Sequence, residues 1–106
     1  MKHYAIADIT ITDPGWVPDY VERTTAMVES HGGRYLTRTA DITHVEGDRE
    51  APQIFLLIEW PSKEAAMGFY ESEEYQPYLE ARRHGSSGDF WLVSADDVTG
   101  RVAIEG

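Results

Sequence analysis

Two carboxylates stand in stretches that read as strands. Asp8 lies inside the alternating segment His3 to Thr12, and Glu59 lies near the end of the apolar run Ile54 to Trp60. A charge in such a place is costly unless it is paired or hydrogen-bonded, so each is a candidate general base or one half of an ion pair. Arg38 on the second strand and Arg82 on the last helix are cations able to supply the pairing. Tyr4, Tyr70, Tyr75 and Trp91 are the aromatic residues placed to line a cavity between sheet and helices, with hydroxyls able to hold a carbonyl or a phenol. Together they point to acid–base chemistry on a small organic molecule. In that reading Asp8 or Glu59 takes the proton, and a tyrosine such as Tyr70, or an arginine, steadies the developing oxyanion. The bland alternative is that the charges fix the register of a dimer and the aromatic side chains are plain core.

Other chemistries are disfavoured by what the chain lacks. The four histidines, His3, His31, His44 and His84, form no HxH, HxxxH or HExxH spacing, so no metal site is expected. There is no cysteine, hence no thiolate nucleophile and no disulfide framework. Gly32-Gly33 reads as a helix stop and Gly85 to Gly88 as a turn, not as phosphate loops, and no cofactor is expected. Nine Lys and Arg against nineteen Asp and Glu give a net charge of −10, which repels nucleic acid and anionic membranes. With no signal-like start and no stretch long enough to span a bilayer, the expected location is the cytoplasm.

The elements that must position these residues follow from periodicity. His3 to Thr12 alternates as a strand until Asp13 and Pro14 stop it. Residues 14 to 17 predict a separate turn, and from Val17 to His31 the apolar residues fall at helical spacing, closed by Gly32 in a left-handed conformation. Arg34 to Val45 predicts a second strand, Glu46 to Pro52 a loop, and Ile54 to Trp60 a central strand covered on both faces. Pro61 ends that strand and Ser62 caps a helix. A second helix starts at Ser72 to Glu74, because Pro77 cannot sit deep inside one. Asp89 to Ser94 is the last core strand. Residues 1–94 are thus expected to form one domain, and residues 95–106 an extension with a short extra strand at Val102 to Ile104. The order β, α, β, β, α, β predicts an α+β, ferredoxin-like fold with a four-stranded antiparallel sheet and both helices on one face. Strands apolar on both sides then require a second copy, so a homodimer is expected.

Several strings carry a family resemblance: Tyr4 to Asp13, the His31-Gly32-Gly33-Arg34-Tyr35 turn, the Glu46-Gly47-Asp48 loop, Trp60-Pro61-Ser62 with Glu64-Ala65-Ala66, and the Tyr70-x-Ser72-x-x-Tyr75-Gln76 kink. In this order they resemble the bacterial domain-of-unknown-function family numbered 1330, from about Tyr4 to Val93. The resemblance implies membership of the dimeric α/β-barrel superfamily, which includes cofactor-independent monooxygenases, muconolactone isomerases and haem enzymes, so fold does not choose the reaction. The favoured expectation is a cofactor-independent enzyme acting on a small cyclic or aromatic molecule. A non-catalytic binder and an interaction protein are the alternatives.

Overall fold

The computed structural model describes residues 1–100. Strand β1 (His3–Ile11) is the hub: it pairs antiparallel with β3 (Ile54–Trp60) on one side and with β4 (Ser86–Ser87) and β5 (Phe90–Ser94) on the other. Strand β2 (Arg34–Thr39) pairs with the outer edge of β3, shifted by a bulge between Tyr35 and Thr37. The sheet is the expected ferredoxin-like one, with its last strand cut into two pieces. Asp8, one of the predicted site residues, sits at that cut, where its backbone N–H donates to the Asp89 carbonyl at 3.1 Å. The break depends on Gly88, whose φ of +141° few L residues adopt and whose missing side chain leaves room for the Asp8 carbonyl. Residues expected only to turn, Ser86 and Ser87, therefore extend the edge strand alongside Thr10 and Ile11.

A 3-10 turn at Pro14–Trp16 precedes helix α1 (Val17–Ser30), as the two prolines predicted. The helix ends on Gly32, at φ +92°. Helix α2 (Lys63–Tyr70) is capped by Ser62, whose Oγ accepts from the Ala65 N–H at 3.0 Å. Helix α3 (Gln76–Gly85) begins later than expected, because Ser72 to Tyr75 form the connecting turns and Pro77 occupies the first turn, where its missing N–H costs little. The second strand is also shorter than the sequence suggests: β2 stops at Thr39, and residues 40–53 carry no strand. Thr and Val propensity there is not matched by a pairing partner. The proposed strand at Val102 to Ile104 lies outside the described residues.

The helices cover one face of the sheet. Ala5, Ala7 and Ile9 of β1 and Leu56, Ile58 and Trp60 of β3 point into it and pack against Val28, Ala66, Phe69, Tyr75 and Leu79. The alternate residues, Tyr4, Ile6 and Asp8 with Phe55, Leu57 and Glu59, lie on the opposite, open face together with Trp91 and Val93 of β5.

Candidate functional site

Between α2 and the sheet lies a cavity of about 260 Å³ lined by Ala5, Ile58, Trp60, Phe69, Tyr70, Phe90 and their neighbours. It exists because β1 contributes small Ala5 where β3 contributes Ile58 and Trp60, and because the chain breaks after Tyr70 instead of running a continuous helix over the sheet. The rings around it are in mutual contact: Trp60 stacks on Phe69 at 5.6 Å between centroids, and Tyr70 lies 6.0 Å from Phe90. The lining is largely apolar, and its side-chain polar groups among the described residues are the Tyr70 hydroxyl and the Trp60 indole N–H. Such a cavity suits an uncharged ring body with one carbonyl or hydroxyl to be held.

Behind its inner wall is a buried polar cluster. Tyr75, which enters α3, and Tyr20 of α1 hydrogen-bond through their hydroxyls at 2.7 Å. The Arg82 guanidinium faces both of them and lies 5.5 Å from the centre of the Phe90 ring. Burial first, and the neighbouring Tyr75 second, hold the Tyr20 phenol well above its ordinary range, so it stays neutral. Burial by itself lowers the Arg82 pKa, but the two tyrosines outweigh it and the guanidinium remains charged. Across the core from Tyr75, burial pushes the Tyr35 phenol up to about 12, although Arg38, 3.7 Å above its ring, pulls the other way.

The predicted site residues do not converge on one place. Tyr70, Tyr75 and Arg82 do gather on the helix side. Tyr4 and Trp91, grouped with them from sequence, stand on the open face instead, because each is out of phase with the inward residues of its strand. Asp8 is on that open face too: its Oδ1 accepts from the Asp89 N–H at 3.3 Å, and its Oδ2 lies 4.0 Å from Arg49. Glu59 is held by Lys2 at 3.3 Å and Arg34 at 3.5 Å. The expected pairing of these carboxylates with Arg38 or Arg82 is therefore corrected; the arginines project into the helix layer, and Arg38 donates to the Thr25 hydroxyl at 2.7 Å. Asp8, Phe55 and Trp91 instead help line a wide groove of about 670 Å³ under the 40–53 loop. The residues that sequence reasoning passed over are Tyr20, Phe69 and Phe90. Tyr20 falls at core spacing on its helix, and nothing in a spacing of 55 residues reveals its bond to Tyr75. Among the described residues no three His, Cys, Asp or Glu side chains gather as a metal ion requires, and no helix is long and apolar enough to cross a membrane.

The architecture is shared with solved structures. A protein of unknown function from Rhodopseudomonas palustris, RPA0582, superposes with a TM-score of 0.69 at 12% identity, covering 91% of this chain and 83% of its own. SnoaB, a cofactor-independent oxygenase from Streptomyces nogalater, gives 0.62 at 17% identity over 91% and 94%. An antibiotic biosynthesis monooxygenase gives 0.58 at 17% identity over 92% and 100%. At these identities the likeness is one of fold. No curated protein sequence matches the chain. The family model for the domain of unknown function DUF1330 matches residues 2–96, and with the ferredoxin-like sheet and one-sided helices in place the chain belongs to that family.

Proposed function

We propose that this chain takes up a small cyclic or aromatic molecule in the cavity between α2 and the sheet and acts on it by acid–base chemistry without a cofactor. The observation that carries the reading is the aromatic cavity itself, lined by Trp60, Phe69, Phe90 and Tyr70, whose phenol is an available donor. A phenol donating to a bound carbonyl withdraws charge from the adjacent C–H, which is the step an enolisation needs. Asp8 and Glu59 lie on the other side of the sheet from this cavity, so the role of proton acceptor falls to water or to the substrate itself, with Tyr70 as donor. That SnoaB is a cofactor-independent oxygenase on the same fold supports chemistry of this general kind.

The test uses 2-tetralone, a two-ring ketone with an exchangeable α-hydrogen. Binding is read from tryptophan fluorescence, since Trp60 lines the cavity, and α-deuterium exchange from NMR. The expected result is saturable binding with exchange faster than buffer, and loss of that acceleration on the order of a hundredfold in Tyr70→Phe with binding little changed. Binding without acceleration would reduce the protein to a binder. Equal binding by Ala66→Leu, which fills the cavity, would remove the site altogether.

A second proposal concerns assembly. Trp91 and Val93 remain 48% and 40% exposed on the open face, beside Tyr4, Ile6, Phe55 and Leu57. An apolar sheet face of this extent is suited to packing on a second copy. We propose a homodimer through it, in which Asp8 and Glu59 fix register.

A further inference from the structure

Beneath the first turns of α1 is a second cleft, of about 240 Å³, separate from the aromatic cavity. It opens because the buried residues of α1, Thr24 and Val28, belong to its later turns, so the earlier ones stand off the sheet. Trp16 and Val21 on the helix side and Ile9, Ile54 and Leu56 on the sheet side give it a largely apolar lining. Tyr20 is the partition between the two spaces. It lines the cleft and hydrogen-bonds to Tyr75, whose ring packs on Phe69 of the aromatic cavity at 4.3 Å between centroids. Among the described residues no carboxylate lines the cleft, and one cation does, Arg38.

The bulge in β2 is what brings Arg38 there. In a regular strand residues three apart point to opposite faces, so with Tyr35 toward the helices Arg38 would stand on the open face. Leu36 is passed over in the pairing, and Tyr35 and Arg38 lie opposite Ile58 and Leu56, both inward residues of β3. Both side chains therefore face the helix layer. The Arg38 guanidinium lies 3.7 Å above the Tyr35 ring and its Nη1 donates to Thr25 Oγ1 at 2.7 Å, which fixes its plane and uses one of its five N–H donors. Among the described residues it takes part in none of the ion pairs, which engage Lys2, Arg23, His31, Arg34 and Arg49. We infer that this cleft binds a small carboxylic acid with an apolar body, the body lying among Trp16, Ile54 and Leu56 and the carboxylate meeting Arg38. One guanidinium balances a carboxylate, whereas a phosphate dianion would keep an unpaired charge. The site stands apart from the chemistry proposed for the aromatic cavity and does not depend on it.

Matched probes separate shape from charge: octanoate and octanamide, titrated calorimetrically into the intact protein at pH 7. The wild type is expected to bind octanoate about tenfold more tightly than octanamide. Arg38→Met, which keeps the packing on Tyr35, binds both probes equally, at the wild-type affinity for the amide. Arg38→Gln is read alongside it and gives the same loss of preference; Arg38 is exposed, so both variants should fold. Ala66→Leu, which fills the aromatic cavity, binds octanoate as the wild type does. Equal binding of the two probes by the wild type, or a preference for octanoate that survives in Arg38→Met and Arg38→Gln, overturns the inference. Loss of octanoate binding in Ala66→Leu also overturns it, because the acid then sits in the aromatic cavity. If neither probe binds, the inference is overturned as well, and a changed mass for Val21→Glu in light scattering would make the cleft a contact between copies.

Discussion

The tyrosines show how burial separates identical residues. Tyr20 and Tyr35 are held neutral, Tyr35 to about pH 12, whereas an unfolded chain ionises its tyrosines near pH 10. Between those values the unfolded state has lost protons that the folded state keeps, so stability falls with rising pH. It is whole below about pH 10 and lost progressively toward pH 12. Urea unfolding at pH 9, 10 and 11 should show the midpoint constant at first and then dropping; a midpoint flat to pH 11 would mean these phenols ionise freely. The Tyr20–Tyr75 bond makes a separate prediction. Tyr75→Phe leaves Tyr20 and Arg82 with fewer partners in a dry environment and should cost about 1–3 kcal/mol, read as a shift in urea midpoint at unchanged slope.

At the scale of elements, the two ends of the β4–β5 edge control the site. The Gly85 carbonyl accepts from the Thr12 and Asp13 N–H groups and from Trp16 Nε1, tying the end of α3 to the end of β1. Gly88 then lets the chain pass against Asp8. Gly88→Ala combines a strained φ with a collision on the Asp8 carbonyl, and should destabilise by more than about 1 kcal/mol while freeing the β5 amides to exchange, measured by hydrogen exchange. Ser62→Ala removes the cap of α2 alone and should cost about 1 kcal/mol without disturbing β5. Equal effects of the two substitutions on β5 exchange would show that the edge strand is not hinged at Gly88.

For the molecule as a whole, the helix-covered face and the open face should respond in opposite ways to an added charge. Leu56→Asp or Trp60→Asp places an unpaired carboxylate in the core, costing several kcal/mol against a total stability of roughly 5–15, and should leave little folded protein. Trp91→Asp on the open face should fold normally but run as one chain in light scattering, where the wild type is expected to run with the mass of two. A wild-type monomer at micromolar concentration would leave the open face without a partner and sink the dimer.

Periodicity along the chain determines the elements here, because the contacts that make a strand or helix are local and its buried face repeats every two or 3.6 residues. That is why β1, the Pro14 turn, α1 to Gly32 and the strand–Pro61–Ser62–helix unit were legible in sequence, and with them the ferredoxin-like order. The same alternation already put Asp8 in phase with Tyr4 and Ile6. Which face the helices would cover was not legible, since β1 and β3 are apolar on both sides. Only the packed structure decided that Ala5, Ile58 and Trp60 point inward, and so that Tyr4, Trp91, Asp8 and Glu59 stand apart from Tyr70 and Tyr75. The polar cluster was equally hidden: Tyr75 enters α3 and Arg82 lies on it, but Tyr20 belongs to α1, and the three meet only where these helices pack over the sheet, a contact across 55 residues with no trace in local spacing.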